Sequence, residues 1–182
     1  MIKVKSAEAD DIIGVLAKNI KKDFIIVSAD KDYKQLITNN VKMYDPLKKE
    51  YAKCSDTERF ILEACLHGQK KDNILNVLTP LDWDSEKRVP PMGDKKVSKI
   101  LDEIGLENWL NEDPKRRERF KQNQQVMDLS HTPQVIVDRT LELYHNYCLP
   151  DPSSIIPFIM DSGWRGIIDD VHKVESKLLN LY

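Results

Sequence analysis

Cysteine is scarce in this chain, and no apolar run is long enough to cross a bilayer. The three cysteines, Cys54, Cys65 and Cys148, form no Cys-x-x-Cys unit and no even set. That argues against a disulfide scaffold and leaves reduced thiols of an intracellular protein as the expectation. Cys54, Cys65 and His67 fit no zinc-ligand spacing, so core packing is the expected use of the two thiols. No stretch approaches the roughly 20 apolar residues of a membrane span, and no signal-peptide pattern follows Met1. A cytoplasmic location without a membrane partner is therefore expected. Net charge is scarce as well. Lys+Arg 28 against Asp+Glu 30 leaves −2, so any phosphate binding has to come from local patches. There is no internal repeat and no low-complexity tract.

What is present suits one ordinary domain, or a domain with a helical extension: 182 residues, 41% hydrophobic and 32% charged. Ile2-Lys3-Val4 alternates as a strand would. Ser6 can cap a helix reaching Ile20, whose Ile12, Ile13, Leu16 and Ile20 share a face. Phe24-Ile25-Ile26-Val27 reads as a buried parallel strand, Tyr33–Ile37 as a helical turn, Asn39-Asn40 as a turn and Val41–Tyr44 as a further strand. This order predicts a parallel sheet with helices on its faces. Beyond residue 55 the pattern is helical: Asp56–His67, Asp94–Ile104 closed by Gly105, Asp113 to about Met127, Pro133–Tyr147, and two more helices between Ser153 and Leu179. The Pro-bearing segment from Gly68 to Met92 is expected to be irregular. A sheet of about three strands, entered mid-strand, falls short of the usual four to six, which leads us to expect a missing upstream part.

The acids are unevenly placed. Glu8-Ala9-Asp10-Asp11 opens the first helix, and Ser28-Ala29-Asp30-Lys31-Asp32 follows the Phe24–Val27 strand. Two unit charges about 4 Å apart repel by about 4 kcal/mol at an effective dielectric near 20. A doubly positive ion relieves that repulsion, and Mg²⁺ or Mn²⁺ prefers oxygen donors. Glu8 and Asp11 are three apart on a helix and share a face. Asp30 and Asp32 are two apart and project to one side where a strand ends, the place where sites form in open α/β sheets. A single acid of this kind is more often a solvated charge or a cap. An ordered set is better explained by a metal site.

Three motifs lie in order: Glu8-Ala9-Asp10-Asp11-Ile12-Ile13, Ser28-Ala29-Asp30-Lys31-Asp32-Tyr33-Lys34-Gln35-Leu36, and Gly68-Gln69-Lys70-Lys71-Asp72-Asn73-Ile74. Together they resemble the 5′-nuclease superfamily, which includes flap endonucleases, the 5′-nuclease domain of bacterial DNA polymerase I and the ribonuclease H of T-even phages. The segment from Ile74 to Gly93 looks most like the phage type. The resemblance implies a partial parallel sheet of the PIN-like 5′-nuclease core over residues 1–55. Residues 56–182 would form a mostly helical region, with a helix–three-turn–helix over about 56–105.

The same resemblance implies two-metal phosphodiester hydrolysis. Glu8, Asp10, Asp11, Asp30, Asp32 and Asp72 match the family's metal-binding acids, with Asp11, Asp30, Asp32 and Asp72 as the catalytic set for two Mg²⁺ ions, or Mn²⁺. Gln69 departs from the family's Gly-Asp-x-x-Asp-Asn pattern, and an amide supplies no negative charge. Lys70, Lys71, Gly93, Lys95 and Lys96 are the implied DNA contacts, with backbone N–H groups and lysines meeting phosphates. The expected activity is removal of RNA primers and 5′ flaps during DNA replication, on DNA and RNA–DNA duplexes. An N-terminal nuclease polypeptide and replication-fork proteins such as a single-stranded DNA-binding protein are expected partners, in the cytoplasm of an infected host if the source is viral. A non-catalytic duplex-DNA-binding remnant is the alternative, and a small PIN-type ribonuclease is a more distant one.

Overall fold

The computed structural model describes residues 2–84 and 88–147, together with 157 and 161. The chain forms two compact units, Met1–Tyr144 and His145–Tyr182. The second lies almost wholly outside the described residues, as do Cys148, Trp164, His172 and the helices expected between Ser153 and Leu179.

The first unit opens differently from the sequence expectation. Ile2–Val4 is irregular, and the chain turns at Ser6 (φ 64°). A strand needs a partner ladder, and none runs beside these residues among those described. Helix α1 (Ala9–Asn19) is capped not by Ser6 but by Glu8, in a capping box with Asp11. β1 (Phe24–Val27) pairs in parallel with β2 (Val41–Asp45), Phe24 opposite Val41 and Val27 opposite Tyr44. The 3₁₀ turn Lys31–Leu36 connects them.

The sheet has a third strand that periodicity missed. β3 (Glu50–Tyr51) pairs antiparallel to β2, so the sheet is mixed, in the order β1-β2-β3. The turn is made by Asp45, which accepts hydrogen bonds from the N–H groups of Leu47 and Lys48 at 2.9 and 3.1 Å. Tyr44 and Tyr51 meet edge to face at 5.3 Å across the pair. β1 is an edge strand buried on one face alone. Ile26 faces the core with Tyr33, Leu36, Val41 and Met43, whereas Ile25 and Val27 are 57% and 65% exposed.

Helices follow: α2 (Thr57–His67), α3 (Asp94–Lys99) running into a π-turn at Ile100–Ile104, α4 (Leu106–Asn111), α5 (Pro114–Met127) and α6 (Gln134–His145). α4 was not anticipated; Gly105 (φ 84°) both ends the π-turn and starts this short helix. A second core joins Cys65 and Leu66 of α2 to Val77, Val97, Ile100, Trp109, Leu110 and Phe120. Burial pushes the Cys65 thiol up to about 12, reinforced by the Asp128 charge, so it packs as an inert hydrophobe.

The irregular segment between α2 and α3 is held by side chains. Asn76 donates to the Pro90 carbonyl at 2.8 Å. From α5, Arg119 donates to the carbonyls of Thr79 and Pro80 at 2.6 and 2.7 Å. Asn123 donates to those of Cys65 and Leu75, both at 2.8 Å. The run Lys115-Arg116-Arg117-Glu118-Arg119 reads as a solvated face from composition, yet Arg119 is 9% exposed.

Candidate metal centre

The first acid cluster is arranged by the start of α1. Asp11 accepts from the Glu8 backbone N–H at 3.0 Å and from the Thr132 hydroxyl at 3.3 Å. Asp10 accepts from the Tyr33 hydroxyl at 2.5 Å. Burial first, then that hydrogen bond and the charges of Asp10, Asp30 and Asp32, raise the Tyr33 phenol above its ordinary range, so it acts as a fixed donor. These acids lie in the first turn, where the helix dipole favours negative charge.

The second cluster follows β1. The Ser28 hydroxyl accepts from the Asp30 N–H, and Asp30 in turn accepts from the Asp32 N–H, both at 3.0 Å. Gln35 braces this turn from below. Its amide donates to the Asp32 and Met127 carbonyls at 3.0 and 3.1 Å, and its side-chain oxygen accepts from the Leu129 N–H. Gln35 thereby ties the acid-bearing turn to the end of α5. A buried amide in a polar motif gives no sequence signal for a contact so distant in the chain.

Asp72 arrives from the loop after α2. Gly68 ends that helix at φ 65°, where an added Cβ would lie 2.5 Å from the Ile74 carbonyl oxygen, so only glycine serves. Gln69 and Ile74 then exchange backbone hydrogen bonds at 2.7 and 2.9 Å around the Lys70–Asp72 turn. Gly93 is different. Its φ is −91° and nothing lies within 4 Å of a built Cβ, so no backbone demand explains that glycine.

Glu8, Asp10, Asp11, Asp30, Asp32 and Asp72 all line one cleft of about 360 Å³, with Gln35, Gln69 and Lys71. At its centre Lys71 Nζ lies 3.8 Å from Asp30, 3.7 Å from Asp32 and 3.8 Å from Asp72. Gln69 donates its amide to Asp32 at 3.2 Å. Burial works against the Lys71 charge, but Asp32, Asp30, Asp72 and Asp10 outweigh it and hold the ammonium above the usual lysine range. Lys70 is exposed and lines a neighbouring pocket with Lys31, outside the cleft lining. Gly93, Lys95 and Lys96 sit exposed at the start of α3, outside the cleft lining.

A parallel strand pair with carboxylates beyond its carboxyl end, followed by a helical region that adds a further acid to the cleft, defines an α/β domain with an acid-lined site. Comparison with known proteins carries this to a family. The family described as "T4 RNase H, C terminal" matches residues 55–174, and "5′-3′ exonuclease, N-terminal resolvase-like domain" matches residues 1–64. The chain belongs to the T4 ribonuclease H family.

It is 27% identical over 176 residues to the ribonuclease H of Enterobacteria phage T4, covering 91% of this chain and 57% of that protein. It is 30% identical over 129 residues to DNA polymerase I of Rhizobium leguminosarum, covering 69% of this chain and 12% of that one. The fold is similar to that of a mutant T5 5′-exonuclease (TM-score 0.60, 18% identity, 79% of this chain and 68% of that one). It is also similar to a bacteriophage T5 flap endonuclease in a pseudo-enzyme–product complex with DNA and metal ions (TM-score 0.59, 16% identity, 79% and 61%). The chain thus spans little more than half the length of the phage T4 protein.

The donor chemistry suits a hard divalent ion: carboxylate oxygens from separate segments converge on a positive charge. As they stand, no three His, Cys, Asp or Glu side chains among the described residues are close enough together to hold one ion. Lys71 is what stands between the acids.

Proposed function

We propose that this chain supplies the acid-bearing and duplex-gripping portion of a metal-dependent 5′-3′ exonuclease or flap endonuclease. Its task is to hydrolyse phosphodiesters, removing RNA primers and 5′ flaps during DNA replication. The convergence of Asp30, Asp32 and Asp72 on a single cation, in the cleft shared with Glu8, Asp10 and Asp11, carries this reading. Two Mg²⁺ ions, or Mn²⁺, are the proposed cofactors; when bound they activate water and stabilise charge on the phosphate and leaving oxygen.

The protein's part is placement. Asp30 and Asp32 are fixed by the Ser28 and Gln35 hydrogen bonds, Asp11 by the α1 capping box, and Asp72 by the Gly68–Ile74 loop. Lys70 and Lys71 on the turn after α2, and Gly93, Lys95 and Lys96 at the start of α3, are the proposed phosphate contacts, which position a duplex without reading its bases. α2, the segment after it and α3 are the proposed helix–three-turn–helix. The switch between the two matched families within residues 55–64 supports a boundary near 55. A complementary N-terminal nuclease polypeptide is a proposed partner. Duplexes with 5′ ends or flaps are the proposed substrates, and a single-stranded DNA-binding protein is a proposed companion at the fork.

Mg²⁺-dependent cleavage of a 5′-flap duplex tests this, with the chain alone and mixed with a polypeptide covering the rest of the phage T4 protein's length. Cleavage abolished by EDTA and reduced at least about a hundredfold by Asp30→Asn supports the reading. A folded mixture that leaves the substrate intact overturns it. Gln69, an amide where the family pattern has an acid, favours a second reading, a non-catalytic duplex-binding remnant. That reading predicts salt-sensitive duplex binding that survives EDTA and Asp30→Ala, with no cutting in any mixture.

A further inference from the structure

A lysine on a solvated surface usually pairs with one acid. Lys71 instead stands almost equidistant from three, two on the turn after β1 and one on its own turn. At 3.7 to 3.8 Å none of these contacts is a directional hydrogen bond. The ammonium is held as a point charge where the acids converge, as a metal ion would be. A divalent ion takes carboxylate oxygens at about 2.0–2.6 Å, so the lysine keeps the acids wider apart than an ion would. An ammonium and a divalent ion repel each other and want the same oxygens, so both cannot occupy this point.

The side chain is free to leave and the backbone is not. Lys71 is 58% exposed on a flexible four-carbon stem. The turn that carries it is pinned by Gly68 and the Gln69–Ile74 hydrogen bonds. Its departure therefore leaves Asp72 in place.

We propose that Lys71 is a built-in counter-ion of the acidic cleft: it holds the metal-free site together, yields its place as a divalent ion enters, and so sets the affinity of the site for that ion. This rests on the reading of the cleft as a metal centre. Gln69 acts in the same sense, since its amide donates to Asp32 where the family pattern has an acid. The site is thus tuned toward weak, exchangeable metal binding, with relief of acid repulsion in the ion's absence.

The test is titration of the full chain with Mn²⁺, following free Mn²⁺ by electron paramagnetic resonance, in the wild type, Lys71→Met, Lys71→Arg and Lys42→Met. Circular dichroism checks that each variant folds. Three exposed ion pairs of ordinary worth amount to about tenfold in binding, so Lys71→Met should bind Mn²⁺ about tenfold more tightly than the wild type. Lys71→Arg, which keeps the charge, should stay near the wild type. Lys42→Met, on the exposed side of β2 and outside the cleft, controls for net charge. In EDTA, Lys71→Met should melt lower than the wild type, and Mn²⁺ should raise its melting temperature by more. Equal affinity in the wild type and Lys71→Met overturns the counter-ion role and leaves the metal centre standing, as does an equal gain in Lys42→Met. Failure of every variant to bind Mn²⁺ overturns both.

Discussion

In the helical region Asn123, 1% exposed, gives its amide to two backbone carbonyls at 2.8 Å, while in the cleft three part-exposed carboxylates share one lysine. Both places bring polar groups between packed elements. In the first, both acceptors have a neutral donor, and Asn76 and the Arg119 guanidinium likewise donate to the Pro90, Thr79 and Pro80 carbonyls between α2 and α3. Satisfied buried networks of this kind rigidify and specify a structure. In the cleft, like charges are left under-compensated, which stores repulsion that a divalent ion would relieve. Rigidity beneath and unspent charge above is the arrangement a site needs when it must keep its shape through cycles of ligand entry and exit.

The largest expected effect breaks the first half of that comparison. Asn123→Leu removes the amide donor from the Cys65 and Leu75 carbonyls and forces a branched side chain into a packed core. Each donor lost at a buried site costs about 1–3 kcal/mol, so urea unfolding should show a loss of about 3 kcal/mol or more. A loss below about 1 kcal/mol would mean that water reaches those carbonyls and that the segment is not clamped from α5.

The second prediction sharpens the other half. Gln69→Asp puts a fourth carboxylate within reach of Asp32, in place of an amide that donates to it at 3.2 Å. Mn²⁺ affinity should rise by about tenfold, in line with about 1.4 kcal/mol, and the metal-free protein should lose about 1 kcal/mol from added repulsion. Isothermal titration and thermal melting in EDTA measure the two. Tighter binding with no apo-state penalty would show that the acids are better solvated than the shared lysine suggests.

Much of this architecture was legible because it is local. The strands Phe24–Val27 and Val41–Asp45, the helix after Asp56, the Gly105 stop and the Asp113 cap of α5 each follow from a periodicity or a capping residue within a few positions. The cleft acids were legible for the same reason: short motifs carry them. What escaped depends on partners far away in the chain. β3 exists because Asp45 turns the chain and Tyr51 finds Tyr44. Ile2–Val4 alternates as a strand would but has no ladder to join among the described residues. The ion pairs of Lys71 with Asp30 and Asp32 gave no signal, because those acids lie some forty positions earlier. Gln35 and Arg119 carried no signal at all, since an amide in a turn and an arginine in a charged run declare no tertiary role.

Asp128 lies where the two regions meet, and its charge gives the smallest test of the contrast. It is 9% exposed and caps the turn Leu129–His131, accepting from the Ser130 N–H and hydroxyl at 2.8 and 2.6 Å. Burial opposes its ionisation, but the Ser130 hydrogen bonds and the Lys18 and His131 charges win and hold its carboxyl below the usual range. Lys18, 3.9 Å away, is too distant for a hydrogen bond, and burial lowers its own pKa despite Asp128. The support for the carboxylate therefore comes chiefly from Ser130. A carboxyl depressed in the folded state stabilises the fold above its unfolded pKa, near 3.9, and loses that contribution as pH falls through the folded value. Asp128→Asn should thus cost about 1 kcal/mol at pH 7, and the gap from the wild type should close below about pH 4. A gap unchanged at pH 2 would mean that Asp128 acts through shape alone and that its charge adds nothing to the fold.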